Sequence, residues 1–169
     1  MVEPATTRPA DIVRLTEPDR YLATLFAPAG LRDDLLALMA FDIEASSVRD
    51  RGREALPGEV RLQWWRDVIA AGEPTGSPIA DPLLETIRRH GLPQPAFETY
   101  LETRVFDLYD DPMPDRVALE AYCGATASAL IQLQCLVLSP ADAAAAAEAS
   151  GHAGCAEAIT RLVWSLPKH

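Results

Sequence analysis

Between Leu31 and Asp50 the chain is apolar enough to form a core helix, yet the apolar face does not stay apolar. Leu35, Leu38 and Met39 begin a stripe at three- and four-residue steps that continues through Asp42, Ser46 and Arg49. Two arrangements give such a stripe. Either the helix lines a cavity at its polar end, or it emerges there into solvent.

The remaining segments read as helices, with no strand-like alternation. Short helices are expected over Pro9–Leu15 and Pro18–Phe26, the second opened by a proline suited to a first turn. Pro57-Gly58 announces an amphipathic helix over Glu59–Ile69, and Gly72–Pro78 is a loop. Ile79–His90 follows, with Gly91 in place to end it. Then come Ala96–Tyr109, a long helix Val117–Leu138 capped by Asp115, an alanine-rich helix Ala141–Ser150, and Ala153–Leu166. The expectation is one all-α domain over residues 1–169, with Leu31–Asp50, Arg61–Ala71 and Val117–Leu138 packed together.

Composition narrows the function. The 169 residues carry a net charge of −10 and a pI of about 4.7, leaving no basic face for nucleic acid or for anionic lipid. Hydrophobic residues at 49% and charged residues at 24% are ordinary for a soluble globular protein. Cys123, Cys135 and Cys155 are odd in number and form no C-x-x-C, which reads as a reduced chain with small buried thiols. His152 and Cys155 lack a second pair at ligand spacing, so no metal site is expected there. Neither a signal sequence nor an uninterrupted apolar run of spanning length is visible, and a cytoplasmic location is expected.

Few residues offer chemistry. Trp64-Trp65 point to different sides of a helix, so at least one belongs to the core. Arg104, Asp107 and Asp110-Asp111 read as a solvated face near a helix end. No Ser/His/Asp set, phosphate loop or P-loop appears, and no catalytic residue is assigned.

The segment Arg20-Tyr21-Leu22-Ala23, Phe26-Ala27-Pro28, Arg32 and Leu35–Phe41 resembles the N-terminal part of the squalene/phytoene synthase family. The resemblance implies an isoprenoid synthase-like helical bundle that joins prenyl diphosphates with Mg²⁺. The family's Asp-Asp-x-x-Asp motif falls on Ser46-Ser47-Val48-Arg49-Asp50, where Asp50 alone keeps its acid. Magnesium needs carboxylate oxygens in near-octahedral geometry. Ser46 and Asp50, one turn apart, make a poor pair, and Asp42 lies about 12 Å from Asp50 along a helix axis. The first metal site is therefore expected to be lost, with Mg²⁺ needed only if the ancestral activity survives.

Tyr122, Ala127 and Leu130 match the family helix that lines the prenyl channel, and are the expected isoprenoid or prenyl diphosphate contacts. Ser128 replaces the usual glycine there, which argues against close backbone approach. Arg61–Asp67, Ala40–Ala45 and Phe106–Pro112 resemble a subset related to respiratory complex I assembly factors. The resemblance ends before a second Asp-rich motif, as in a partial domain. It implies an inactive, assembly-type protein with a membrane-complex partner, peripheral to the inner membrane. The alternatives are an Mg²⁺-dependent prenyltransferase of isoprenoid biosynthesis and a non-catalytic isoprenoid carrier. The partner surface is expected on Arg61–Asp67 and Arg104–Asp111, and an uncovered apolar face is expected to favour a homodimer.

Overall fold

The structure, a computed structural model, describes residues 8–48, 55–109 and 111–165. Among them every regular element is helical: α1 (Pro9–Thr16), α2 (Pro18–Thr24), α3 (Arg32–Ser46), α4 (Ala55–Ala71), α5 (Ala80–His90), α6 (Gln94–Arg104), α7 (Arg116–Cys123), α8 (Ala129–Leu138) and α9 (Ala147–Ser165). Short 3₁₀ turns, Ala29–Leu31 and Val105–Leu108, lead into α3 and out of α6. The all-α expectation holds.

Helix α3 is the axle. Every residue from Asp34 to Ala45 is buried, because α1, α2, α5, α6 and α8 surround it. A helix enclosed on all sides has no reason to be amphipathic, which explains its near-uniform apolar sequence. Phe41 sits at the centre of an aromatic cluster, with ring centroids 5.1 Å from Trp65, 5.6 Å from Phe97 and 5.2 Å from Tyr100. Trp65 is the core member of the tryptophan pair, and Trp64 packs edge-on against it at the half-buried margin. At the other end of α3, buried Asp34 accepts from Thr86, Arg89 and His90, which fastens α5 in place. Gly91 ends α5 in the left-handed region at φ 59°, as its position demands.

The structure departs from the sequence expectations in four places. Helix α3 ends at Ser46 rather than Asp50. Ser46 and Ser47 turn their hydroxyls back onto the carbonyls of Ile43 and Glu44, which competes with further helix. Asp50 lies outside the described residues. The long helix Arg116–Leu138 is continuous but holds a π-helical turn at Gly124–Ser128. This helix is long and apolar enough to cross a membrane by length and composition alone, a test that the core helix of a soluble bundle also passes. The alanine-rich stretch 141–146 is a series of turns, and α9 begins only at Ala147. The amide of Gln132 donates to the Ala143 carbonyl at 2.7 Å, and the Ala147 amide turns to Ala144 instead.

The fourth departure concerns close packing. Ser128 does not prevent backbone contact, because the glycine is on the opposite helix. A Cβ at Gly154 would collide with Cα and N of Ser128, whose hydroxyl donates to the Gly151 carbonyl at 2.9 Å. Gly154→Ala is expected to destabilise the fold by about 1–3 kcal/mol through overpacking. Gly151→Ala, with nothing within 4 Å of an added Cβ, is expected to stabilise it by about 0.5–1 kcal/mol. Denaturant unfolding of the two variants checks both values.

Candidate functional site

Asp42, the first polar residue of the α3 stripe, does not meet solvent. Asp42 is 2% exposed and is saturated with donors. Its Oδ1 accepts from the Tyr100 hydroxyl at 2.5 Å and from Arg104 Nη2 at 3.1 Å. Its Oδ2 accepts from Arg20 Nη1 at 3.0 Å, and Arg161 Nη1 lies 3.5 Å away. The four partners come from three helices, Arg20 from α2, Tyr100 and Arg104 from α6 and Arg161 from α9, so that all three converge on α3.

A second layer neutralises the arginines. Arg20 and Arg161 both reach Glu17, at 2.5 and 2.6 Å, and Arg161 reaches Glu157 at 3.0 Å. Arg104 gives Nε to the Tyr100 hydroxyl at 3.0 Å, and Nη1 to Asp107 at 3.1 Å and the Tyr122 hydroxyl at 2.8 Å. The Tyr122 hydroxyl itself donates to Asp107 at 2.7 Å. Three cations, Arg20, Arg104 and Arg161, therefore face four carboxylates, Glu17, Asp42, Asp107 and Glu157.

Electrostatics follow from that balance. Burial alone would raise the Asp42 carboxyl, but Arg104, Arg20 and Arg161 outweigh it and hold it well below the usual carboxylate range. Burial raises the Tyr100 phenol well above its ordinary value, and the Asp42 carboxylate adds to the shift while Arg104 opposes it. Burial would lower the Arg104 guanidinium, but Tyr100 and Asp42 carry it well above normal. All three arginines are internally paired with carboxylates.

This is a correction for Arg104 and Asp107. They are not a solvated face, since Arg104 is buried and both belong to the central network. Tyr122 is at the heart of the same network. Leu130 is buried in the hydrophobic core, and Ala127 is half-buried in the π turn facing α9. Arg20, Tyr100 and Arg161 went unassigned at the sequence level. The available signal was Asp42 itself, a lone acid inside a helix otherwise built for burial.

Magnesium does not fit the described residues here. The hydroxyls of Ser46 and Ser47 are engaged with backbone carbonyls, Asp42 is bound by arginines, and Glu44 accepts from Arg61 at 3.1 Å. No group of three His, Cys, Asp or Glu side chains among the described residues is arranged to hold a metal ion.

Among the described residues, open space lies on the outside of α4. A groove of about 340 Å³ runs between α4 and α6, bordered by Arg66, Asp67, Gln94 and Glu98. A second, of about 450 Å³, continues from Arg66 past Leu56 and Val60 toward Val105. Leu56 and Val60 are 68% and 63% exposed. Arg66 borders both grooves. Among the described residues its one side-chain bond is a 3.4 Å contact to Gln63, and its Nε is buried without a partner.

Residues 13–169 match the squalene/phytoene synthase family. The assembly factor 6 of NADH dehydrogenase (ubiquinone) complex I from Bos taurus is 30% identical over 162 residues, covering 94% of this chain and 48% of its own length. The Homo sapiens protein of that name is 29% identical over the same shares. A presqualene diphosphate synthase from Rhodopseudomonas palustris is 29% identical over 147 residues, covering 85% of this chain and 52% of its own. The chain spans about half the length of the curated relatives it matches. No solved structure matches it.

Asp42→Asn is expected to destabilise the protein by about 3–5 kcal/mol, because it leaves three arginines around a neutral group. The pH dependence has a defined sign. The folded pKa of Asp42 is below its unfolded value of about 4. Its stabilisation is therefore complete above about pH 4–5 and is lost as the pH falls through the folded pKa. Unfolding free energies measured from pH 7 downward should show a shallower acid limb in Asp42→Asn.

Proposed function

The chain belongs to the squalene/phytoene synthase family, and from that premise we propose that it is a non-catalytic binding partner in the assembly of a membrane respiratory complex. One observation carries the reading. Asp42 and its three arginines form a closed network at the buried centre of the bundle, with the cations already matched by carboxylates. A diphosphate needs free cations or a metal bridge, and this centre supplies neither.

The names of the relatives support the choice of partner: complex I assembly factor 6 proteins match along nearly the whole chain. The α4 surface supports the mode of binding. It offers Leu56 and Val60 to solvent beside Arg66, which borders both grooves, features suited to a protein partner. Helix α4 thus takes the role expected of Arg61–Asp67. The segment Arg104–Asp111 contributes less, since Arg104 is buried. The proposed location is the cytoplasm, at the periphery of the inner membrane. Exposed Phe26 and Trp164, at 93% and 80%, support association with a second copy, checked by sedimentation at tens of micromolar.

The presqualene diphosphate synthase relative favours a second reading, an Mg²⁺-dependent prenyltransferase. The two separate cleanly. The purified chain is expected to give no product from farnesyl or geranylgeranyl diphosphate with Mg²⁺. Loss of the gene is expected to lower NADH:quinone oxidoreductase activity in membranes. Wild type and Ser46→Ala/Ser47→Ala should restore it, and Arg66→Glu should not, although it folds. Product formation, or restoration by Arg66→Glu with loss in the serine variant, overturns the assembly reading. Isoprenoid binding without turnover that Ala127→Phe abolishes favours the carrier instead.

A further inference from the structure

Helices α4 and α6 leave a trough between them that is longer than either groove alone, because the two grooves meet at Gln63 and Arg66. The helices run antiparallel. The Gln94 amide at the start of α6 donates to the Ile69 carbonyl near the end of α4 at 3.0 Å, and the Tyr109 hydroxyl beyond α6 donates to Glu59 near the start of α4. Each wall is a single helical stripe. Leu56, Val60, Gln63, Asp67 and Ala70 follow three- and four-residue steps along α4, and Gln94, Glu98, Leu101 and Val105 do so on the facing side. From Leu56 to Ala70 the trough is about 21 Å long at 1.5 Å per residue. Its character changes along that length. Exposed Leu56 and Val60 with half-buried Val105 make one end apolar. Asp67 and Glu98 make the other end acidic. The Glu98 side chain is exposed and makes no hydrogen bond or ion pair among the described residues, and nor does exposed Glu102 one turn away. Two unpaired carboxylates at that spacing repel each other until a cation comes between them. Arg66 lies midway and is the one cation among the described residues that line either groove.

We propose that this trough is the docking site for one basic amphipathic helix of about four turns, from a segment of the partner that flanks a membrane span. The proposal rests on the assembly reading above and names the element of the partner that is recognised. Shape selects a helix. A groove between two antiparallel helices admits a third, whose anchors recur at three- and four-residue steps. A β-strand needs an open sheet edge, and every regular element among the described residues is helical. A polyproline segment needs aromatic walls, and no aromatic side chain among the described residues lines either groove. Charge selects the rest. Apolar residues of the occupant lie against Leu56, Val60 and Val105, an acid faces Arg66, and Lys or Arg one or two turns further on reaches Asp67 and Glu98. A net charge of −10 draws such a segment in from a distance. Segments beside membrane spans on the cytoplasmic side are rich in Lys and Arg, so a membrane subunit presents this chemistry to a protein at the periphery of the bilayer.

The probe is a fluorescein-labelled helical peptide of about 14 residues. One stripe carries leucines on the first two turns, a glutamate in the middle and lysines on the last two turns. A matched peptide has glutamate in place of each lysine. Anisotropy titration with the full chain is expected to show saturable binding of the first peptide, weakening as salt rises, and none of the second. Glu98→Lys and Val60→Asp should each weaken binding by about tenfold, and Glu148→Lys, the same change in net charge on the exposed side of α9, by less than about twofold. No binding, equal binding of the two peptides, or equal weakening by Glu148→Lys overturns the proposal. A dimer or a vesicle-bound form that Val60→Asp releases gives the trough to a second copy or to a lipid surface, and overturns it too. The two peptides with the wild-type chain decide the question even if a variant fails to fold. In cells lacking the gene, Glu148→Lys should restore NADH:quinone oxidoreductase activity in membranes, and folded Glu98→Lys and Val60→Asp should not. Restoration by either of these overturns docking in the trough and leaves the assembly reading standing. Failure of the wild type to restore activity removes the assembly reading, and this proposal with it, whatever the peptides show.

Discussion

A buried carboxylate held by three arginines organises this bundle. Taking Asp42 out of water costs several kcal/mol, and the interior returns that only when geometry and hydrogen bonding are both favourable. Here both conditions are met. Each carboxylate oxygen has two cationic or hydroxyl partners, and each arginine meets further carboxylates at the rim. Helices α2, α3, α6 and α9 are fixed relative to one another by this centre. The arrangement tolerates little drift, because a displaced helix would strand a buried charge.

The same centre decides what the fold can do. Cations that neutralise internal carboxylates are unavailable to a ligand phosphate, and a carboxylate ringed by guanidinium groups is a poor ligand for a cation. Tyr122 illustrates the point. Resemblance casts it as a channel residue, yet its hydroxyl both accepts from Arg104 and donates to Asp107. Among the described residues, the α4 surface opens two grooves bordered by Arg66, with Leu56 and Val60 exposed beside it. That surface suits recognition of another macromolecule better than transformation of a small one.

Much of the fold was legible in the sequence because local signals set it. Gly91 terminated α5, Asp115 capped α7 through the Ala118 amide, and the apolar run after Leu31 marked the central helix. The errors arose where distant groups intervened. Gln132 captured the Ala143 carbonyl, so an alanine run with high helix propensity became turns. Arg104 and Asp107 looked like surface charges because their partners, Asp42 and Tyr122, are remote in sequence. Close approach depended on Gly154 rather than residue 128, and no local pattern couples the two. The resemblance placed Ser46 and Ser47 where the family carries acids, but nothing local announced the network around Asp42. Pairing of Arg20, Arg104 and Arg161 with one aspartate is a tertiary fact.

The most direct test follows the guanidinium Nε–H signals of Arg20, Arg104 and Arg161 by NMR while farnesyl diphosphate is added, with and without Mg²⁺. Those signals are expected to stay in place, because the network holds each cation against internal carboxylates. Saturable shifts of all three signals at micromolar ligand, strengthened by Mg²⁺, would contradict this and identify the buried centre as a working diphosphate site.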